Sequence, residues 1–327
     1  MLIIRQEHHD PSIEIFSGEV YAVTFSANGE YLLSGGDGGV QVWRAEDGTQ
    51  VARMTTRTVY CLAVSKDGRW IAAGTNWDEL FVWDAKTHKQ VFKHWGDSNK
   101  VSGVDFSPDS TRLVSALDNE TASIWDIPTG KRVQTLRHDK YLKAAKYSPQ
   151  GDRIATATRL SIRVWDSSDG HLLLNIKVGV TPWFSTALLW PNNHLFVISG
   201  SRIQQIDAST GSVVSEWSVP ESDGYSSIAL PKHGEFIVYS AKRTVTFWDM
   251  SSHAQLGHIR CPQDIHSIAL SSDDEFIAMG GETGEVSQSH IIVSVLFRSI
   301  VEHTGNSDLS PRRIRSLCLV YTQHLRN

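Results

Sequence analysis

The sequence predicts an all-β protein made of seven consecutive four-stranded antiparallel sheets. A Trp-Asp pair, or a close variant of it, recurs every 40–42 residues, at positions 43, 83, 125, 165, 206 and 248. Each period also contains an alternating apolar segment, followed by a turn rich in Gly, Asp, Asn and Pro. A four-stranded blade of a β-propeller occupies about 40–45 residues. The predicted architecture is therefore a seven-bladed β-propeller whose last blade is incomplete or irregular.

The alternating apolar segment predicts the innermost strand of each blade, because a strand places successive side chains on opposite faces. The seven copies cover residues 20–25, 59–64, 101–106, 142–147, 185–190, 225–230 and 265–270. The turn residues that follow supply the backbone angles of a tight hairpin. Second strands are then predicted to begin near residues 31, 70, 112, 153, 195, 236 and 276.

The Trp-Asp pair lies on the predicted third strand. Because the tryptophans occupy the same place in each repeat, they are expected to pack between neighbouring blades rather than bind a ligand. A turn containing glycine, such as Asp47-Gly48 or Thr129-Gly130, leads into a more polar segment. That segment predicts a fourth, outer strand, for example over residues 50–54 and 132–136.

These motifs resemble those of the WD-repeat β-propeller family. Phe106-Ser107-Pro108-Asp109, Ile124-Trp125-Asp126-Ile127 and Gly130-Lys131-Arg132 are similar to its consensus, and the likeness runs from about residue 12 to about residue 286. The family's Gly-His before the inner strand is absent, and its turn Asp has counterparts only at Asp37, Asp78 and Asp118. The resemblance implies a closed ring in which the family's buried His-Ser-Asp-Trp network is broken in most blades.

The family closes its ring with an N-terminal strand, and residues 12–16 alternate suitably for that role. The propeller is thus expected over residues 12–286, with an irregular C-terminal tail over residues 287–327 because the repeat pattern stops after Val286. Two explanations for the tail remain open. It is a divergent end or a translated intron, since Val286-Ser287 fits a splice-donor sequence; alternatively, residues 291–297 supply the missing third strand after a bulge.

Composition restricts the class of protein. A net charge of −5 leaves no basic excess for nucleic acid, and no apolar run of about 18 residues predicts a membrane span. The first residues do not resemble a signal peptide. Cys61, Cys261 and Cys318 are too few and too scattered for a disulfide framework or a zinc site. We expect an intracellular protein, cytoplasmic or nuclear.

The chain lacks the sequence motifs that carry common catalytic chemistry. It has no Gly-x-Ser-x-Gly elbow, no phosphate-binding loop and no His-Glu-x-x-His motif. No catalytic residue, cofactor or metal ligand is therefore predicted.

One face of the ring is the predicted partner-binding surface. In the family, the loops into the inner strands and the turns after the second strands share a face around the central channel. Aromatic side chains at such a rim suit protein recognition, although packing between blades is the alternative for several of them. The candidate residues are Tyr21, Tyr60, Trp77, Tyr141, Arg159, Trp183, Arg202, Tyr225, Arg243 and His266.

The predicted partner is a protein or peptide. Cationic residues in blades four to six favour acidic or phosphorylated ligands, because Arg forms bidentate hydrogen bonds with phosphate; solvation of exposed turns explains the same charges. The sequence thus predicts a non-catalytic scaffold or adaptor. Two alternatives are the sensor region of a larger signalling protein and a propeller enzyme, which would need titratable groups converging at the channel.

Overall fold

Seven small antiparallel sheets make up the described part of the chain. The computed structural model describes residues 13–14, 18–95, 100–178, 188–199, 201–222, 224–232 and 234–290. Within these ranges there are twenty-eight strands and no helix. Each sheet contains four strands, and all pairings are antiparallel. The predicted seven-bladed, all-β architecture is confirmed.

The strands occur in four layers from the centre of the ring outward. The inner strands are β2 (Val20–Phe25), β6 (Val59–Val64), β10 (Val101–Phe106), β14 (Ala144–Tyr147), β18 (Leu188–Leu189), β22 (Ser226–Ala229) and β26 (Ile265–Leu270). The second strands are β3 (Tyr31–Gly36), β7 (Trp70–Thr75), β11 (Arg112–Leu117), β15 (Arg153–Ala157), β19 (His194–Ser199), β23 (Phe236–Ala241) and β27 (Phe276–Gly281).

The outer two layers follow the same order, blade by blade. The third strands are β4 (Gly39–Arg44), β8 (Glu79–Asp84), β12 (Thr121–Asp126), β16 (Ser161–Asp166), β20 (Arg202–Asp207), β24 (Thr244–Asp249) and β28 (Glu285–His290). The outer strands of blades 1 to 7 are β5 (Gln50–Met54), β9 (Gln90–Trp95), β13 (Lys131–Arg137), β17 (Leu172–Lys177), β21 (Val213–Ser218), β25 (Gln255–Arg260) and β1 (Ile13–Glu14).

The N-terminal strand closes the ring. Ile13 pairs with Val286 and Glu14 with Glu285, so β1 is the outer strand of blade 7. The inner strands of successive blades contact one another, and β2 also contacts β26. Blade 7 thus draws three strands from its own repeat and the fourth from the other end of the sequence. This arrangement confirms the closure predicted for residues 12–16, at the two positions that the structure describes.

The third strand of blade 7 is regular although it lacks the Trp-Asp pair. β28 pairs with β27 so that Ser289 lies opposite Ile277, where other blades place tryptophan. The strand therefore continues four residues past the predicted end of the propeller at Val286. Residues 291–327 lie outside the described ranges, and so do the proposals for a tail and for a strand over residues 291–297.

The tryptophans pack between blades, as predicted. Trp125 of blade 3 is 2% exposed and lies in a cluster with Ala72, Leu80 and Val82 of blade 2. Trp43, Trp83 and Trp165 are also buried, each against the preceding blade, and Trp248 is half-buried against blade 5. An indole buries a large apolar area, so these side chains join neighbouring sheets into one ring.

Several indoles are also hydrogen-bonded to a neighbouring hydroxyl. The Nε1 donors reach the hydroxyl oxygens in the pairs Trp43–Ser34 (3.2 Å), Trp125–Ser115 (2.9 Å), Trp165–Thr156 (2.7 Å) and Trp248–Thr246 (2.8 Å). In blade 4, Nε2 of His138 lies 3.1 Å from the Thr156 hydroxyl, which extends the chain to His-Thr-Trp. Part of the network expected to be broken is therefore present, with Thr in place of Ser.

Candidate functional site

The start of the inner strand carries a bulge in four of the seven blades. The pairing register shifts between Val20 and Ala22, and equivalent shifts occur in blades 2, 3 and 7. The residues left unpaired are Tyr21, Tyr60, Ser102 and His266. A bulge re-aims a side chain relative to the regular strand. Three of the ten predicted partner-binding residues thus owe their orientation to this irregularity.

The bulges occur at one end of the sheets, called here the entry face. This face contains the starts of the inner strands and the turns between second and third strands, because Val20 pairs with Gly36 and Gly36 pairs with Gly39. The opposite end, the exit face, contains hairpins such as that around Gly29. Every described residue of the predicted site lies at or beside the entry-face end of its blade.

Three of the predicted residues converge around a fourth, Tyr21. Its ring centroid lies 4.4 Å from that of Tyr60, 5.9 Å from that of Tyr225 and 5.4 Å from that of His266. Tyr225 and His266 are 4.1 Å apart. These four side chains, from blades 1, 2, 6 and 7, are called the aromatic cluster. Their spacing is that of favourable aromatic pairs.

Two glycines allow the loops to approach the cluster closely. A Cβ atom at Gly36 would collide with the carbonyl oxygen of Glu19, and one at Gly281 with that of Asp264. Both glycines end a second strand, and both lie next to the residues that lead into a bulged inner strand. Glycine at these positions is therefore required by the backbone of the loops that carry Glu19 and Asp264.

Carboxylates surround the aromatic cluster. Glu19 Oε2 lies 3.7 Å from His266 Nδ1. Asp37 accepts a hydrogen bond from the Thr58 hydroxyl at 2.8 Å and one from the Glu19 backbone N–H at 3.3 Å. Asp264 and Glu282 line the same cavity as Tyr225 and His266. Asp37 was identified in the sequence as a turn Asp, but Glu19 and Asp264 were not among the predicted site residues.

The cluster is neutral near pH 7. Burial, reinforced by nearby Tyr60 and Glu19, raises the pKa of Tyr225 to about 12. Burial also raises the pKa of the Tyr21 hydroxyl, which interacts with Glu19. The pKa of His266 is lowered by burial, against the opposing effect of Glu19, Glu282 and Asp264. None of these groups is thereby tuned toward the neutral pKa that acid–base catalysis favours.

Lys100 lies over the ring of Tyr60. Its Nζ atom is 3.5 Å from the ring centroid, which is a cation–π contact. Burial, together with the charge of Lys143, lowers the pKa of Lys100 to about 8. The aromatic cluster thus already holds one cation of the chain on the side of blade 3.

Two predicted aromatic residues lie on the entry face as exposed side chains. Trp77, in the turn between β7 and β8, is 52% exposed, and the Arg57 guanidinium lies 4.9 Å from the centre of its ring. Tyr141, just before β14, is 60% exposed. Trp183 lies outside the described residues.

The predicted arginines do not form a common cationic group. Arg202 pairs with Glu216 of the outer strand β21 at 2.8 Å, and Arg243 pairs with Asp264 at 3.1 Å. Arg159 lies partly exposed in the turn between β15 and β16. Each of the two ion pairs offsets one charge on which the predicted affinity for acidic ligands depends.

One further group of titratable side chains lies away from the channel. Among the described residues, Asp166, Asp169 and His171 have ligand atoms within 4.8 Å of one another. Their turn explains the grouping, because Asp166 accepts hydrogen bonds from Ser168 and Asp169 accepts them from His171.

In the described part of the chain, no helix is long and apolar enough to cross a membrane.

Comparison with known proteins agrees with the geometry. Seven four-stranded blades with interblade tryptophans define the class of β-propellers. A family model described as WD domain, G-beta repeat matches residues 10–44, 48–84, 86–126 and 130–166. These segments cover the N-terminal strand, blades 1 to 3 and the first three strands of blade 4. Four segments of the chain thus match the WD-repeat model, which confirms the resemblance found in the sequence.

Individual relatives are similar at a low level of identity. U3 small nucleolar RNA-associated protein 15 homolog of Xenopus tropicalis is 25% identical over 238 residues, which are 71% of this chain and 46% of that protein. Autophagy-related protein 16 of Arabidopsis thaliana is 27% identical over 58% of this chain and 38% of its own length. Serine-threonine kinase receptor-associated protein of Gallus gallus is 24% identical, with corresponding shares of 57% and 53%. The matches thus span about half of these relatives or less.

Proposed function

We propose that this protein is a non-catalytic interaction scaffold that binds partner proteins at the entry face. The convergence of four aromatic side chains from blades 1, 2, 6 and 7 supports this function most directly. These four residues are far apart in the sequence, but they lie together on the entry face, at the starts of the inner strands. Partly exposed aromatic groups at a concave surface are typical of the residues that dominate protein–protein affinity.

The surroundings of the cluster support binding more than catalysis. Trp77 and Tyr141 add exposed aromatic surface to the same face. The tyrosines of the cluster have raised pKa values, and His266 has a lowered one. A nucleophile next to a general base would instead show groups activated toward neutral pH. Recognition of a side chain or a short segment is the chemistry that this arrangement favours.

The name of one relative suggests a setting. U3 small nucleolar RNA-associated protein 15 homolog is named for association with a small nucleolar RNA. We propose by analogy that this chain works in the nucleus, in an assembly that contains RNA-associated proteins. With a net charge of −5, it is suited to contact the proteins of such an assembly rather than its RNA. A sensor role within a longer signalling protein is the second candidate, because the matches span only about 38–53% of the three relatives described in the previous section.

Acidic or phosphorylated ligands stay a prediction from the sequence. Arg159, Arg202 and Arg243 are the residues on which it depends. The ion pairs of Arg202 with Glu216 and of Arg243 with Asp264 weaken it, because those guanidinium groups already have anionic partners.

Affinity purification with matched variants tests the proposed interaction. The full chain, a Trp77→Ala/Tyr141→Ala double variant and a Leu172→Ala/Leu173→Ala double variant are expressed with the same tag. All four side chains are exposed, by 38–60%, so both variants should keep the fold. Proteins recovered with the full chain should fall by about tenfold in the entry-face variant, as expected for loss of aromatic anchors. Recovery should stay unchanged in the outer-strand control; equal recovery with both variants would contradict the proposal.

A further inference from the structure

We propose that the cavity beside the aromatic cluster binds a cationic side chain, lysine or arginine, supplied by the partner protein. This inference rests on the proposed function and specifies the chemistry of its ligand. The sequence predicted an anionic ligand, whereas this inference assigns a cationic one. The reason is that the described structure places carboxylates around the rings.

The cavity has aromatic walls and an acidic rim. Its volume is about 360 Å³, and it is lined by Tyr21, Tyr225, His266, Ile265 and Gly224, together with Glu19, Lys242, Asp264 and Glu282. Pockets of about 300–1,000 Å³ are large enough for small ligands. The side chains of Glu19 and Asp264 are 42% and 41% exposed, so the rim opens to solvent. A side chain of a docked partner can therefore enter from the entry face.

The charges at the rim favour a cation over an anion. Three carboxylates, Glu19, Asp264 and Glu282, line the cavity, against one lysine, Lys242. Arg243 pairs with Asp264 from a position where its side chain is 64% exposed. With Arg243 included, three carboxylates still face two cationic side chains, so the carboxylates outweigh the cations at the cavity. An anionic ligand would meet repulsion from the same groups.

The aromatic faces supply the non-ionic part of the recognition. Tyr225 and His266 are 4.1 Å apart and inclined by 41°, and Tyr21 stacks on His266 with an interplanar angle of 16°. Tyrosine faces attract ammonium and guanidinium groups through the ring quadrupole. His266 is uncharged near pH 7 because burial lowers its pKa, so it does not compete with an entering cation.

Tyr60 provides an internal example of this chemistry. On the other side of the cluster, Lys100 of the same chain places its Nζ atom 3.5 Å from the centre of the Tyr60 ring. Tyr21 lies 4.4 Å from Tyr60 and lines the acidic cavity, as does Tyr225. Tyr60 thus has an internal cation over its ring, and the two tyrosines that line the cavity are placed to contact an external one.

The test uses amino-acid amides as probes of the full chain. Tyrosine side chains labelled with ¹³C are followed by NMR, and the signals of Tyr21 and Tyr225 are assigned from Tyr21→Phe and Tyr225→Phe variants. The probes are the Nα-acetyl methylamides of arginine, lysine, norleucine and glutamate. The arginine and lysine probes should shift both signals with saturation in the millimolar range. The norleucine probe should bind at least about tenfold more weakly, and the glutamate probe should not bind.

A pair of charge-neutral variants isolates the role of the rim. Glu282→Gln should weaken binding of the arginine probe by about threefold to tenfold, since it removes one carboxylate from the cavity. Glu275→Gln is the matched control, because Glu275 is an exposed residue at the opposite, exit-face end of β27 in the same blade. It should leave the affinity unchanged. Both substitutions are at exposed turns and should preserve the fold.

The outcomes separate this inference from the proposed function. Equal binding of norleucine and arginine, binding of glutamate alone, or no shift with any probe would overturn the cationic ligand; binding of glutamate alone would support the acidic partners predicted from the sequence. If no cationic probe binds while Trp77→Ala/Tyr141→Ala still lowers partner recovery by about tenfold, the interaction scaffold stands and only the ligand chemistry is wrong.

Discussion

Trp125 tests whether the tryptophan repeat holds the blades together. It lies on the third strand of blade 3, is 2% exposed and packs against Ala72, Leu80 and Val82 of blade 2. The imidazole of His94 lies 4.4 Å from its ring, and Nε1 donates a hydrogen bond to Ser115 at 2.9 Å. Replacement by alanine should therefore open a cavity between two blades and leave a buried hydroxyl without its donor.

The two losses can be estimated separately. Truncating a buried tryptophan costs about 3–5 kcal/mol of the free energy of unfolding. A buried polar group without a partner adds about 1–3 kcal/mol, so Trp125→Ala is expected at the upper end of the first range or above it. Trp125→Phe removes the indole N–H but keeps an aromatic ring, and should cost less. Ser115→Ala should cost about 0.5–1.5 kcal/mol, as expected for one lost hydrogen bond.

Urea unfolding followed by circular dichroism measures these costs. Trp95→Ala is the control, because Trp95 is 67% exposed on the outer strand β9; its free energy of unfolding should change by less than about 0.5 kcal/mol. A double-mutant cycle of Trp125→Phe with Ser115→Ala should show coupling between the two residues. A cost of less than about 1 kcal/mol for Trp125→Ala would refute the assignment of this indole to the space between blades.

Three further predictions concern the closing strand, blade 4 and the entry face. Deleting residues 1–17 removes β1, which pairs with β28, and should lower the melting temperature by several degrees; an unchanged melting curve would show that the strand adds no stability. Burial and the nearby charge of Arg163 lower the pKa of His138 to about 4. The unfolded state therefore binds a proton at this histidine more readily than the folded state does. The free energy of unfolding should fall by up to about 1 kcal/mol per pH unit as the pH drops from 6.5 toward 4. His138→Gln should flatten that slope, and a slope that the variant retains would mean that other groups cause it. Gly281→Ala forces a Cβ atom against the Asp264 carbonyl and should lower the free energy of unfolding by about 1–3 kcal/mol. Gly224→Ala is the control and should be nearly neutral, because nothing lies within 4 Å of the added atom. Similar melting temperatures of the two variants would contradict the close approach at Gly281.

Sequence periodicity was sufficient to predict the fold. Tryptophans at a constant spacing, such as Trp83 and Trp125, specify one four-stranded unit per repeat, and a closed ring needs a strand such as β1 to pair with the last blade. The part of the third strand of blade 7 after Val286 was not predicted, because Ser289 stands where tryptophan is expected. Backbone pairing with β27 on one side and β1 on the other nevertheless sets its register, since a strand is held by main-chain hydrogen bonds as well as by its side chains.

The candidate site was predictable only in part. Tyr21 and His266 were selected as entry-face residues, but their convergence depends on bulges that a strict alternation of apolar residues does not predict. A signal was present, because the buried residues Val20 and Val23 are three positions apart, as are Ile265 and Ile268. In a strand of period two, that spacing indicates one extra residue.

Charge was the least predictable property of the site. The cationic turns of blades four to six were read from the sequence without their partners. Arg243 pairs with Asp264 of another loop, and Arg202 pairs with Glu216 of the neighbouring strand β21, so both pairings depend on contacts that the local sequence around each arginine does not show. The carboxylate of Glu19 was also not selected, since nothing in its local sequence distinguishes a side chain at the channel mouth from one in a solvated loop.

Site-specific photo-crosslinking in cells tests the proposed partner surface most directly. A photoreactive phenylalanine analogue replaces Trp77 or Tyr141 on the entry face, or Leu172 on the outer strand β17, all of which are exposed positions. Crosslinking to the same partner protein from positions 77 and 141, with none from position 172, is the result predicted. Crosslinks that form from position 172 and not from the entry face would contradict the claim that this face binds the partner.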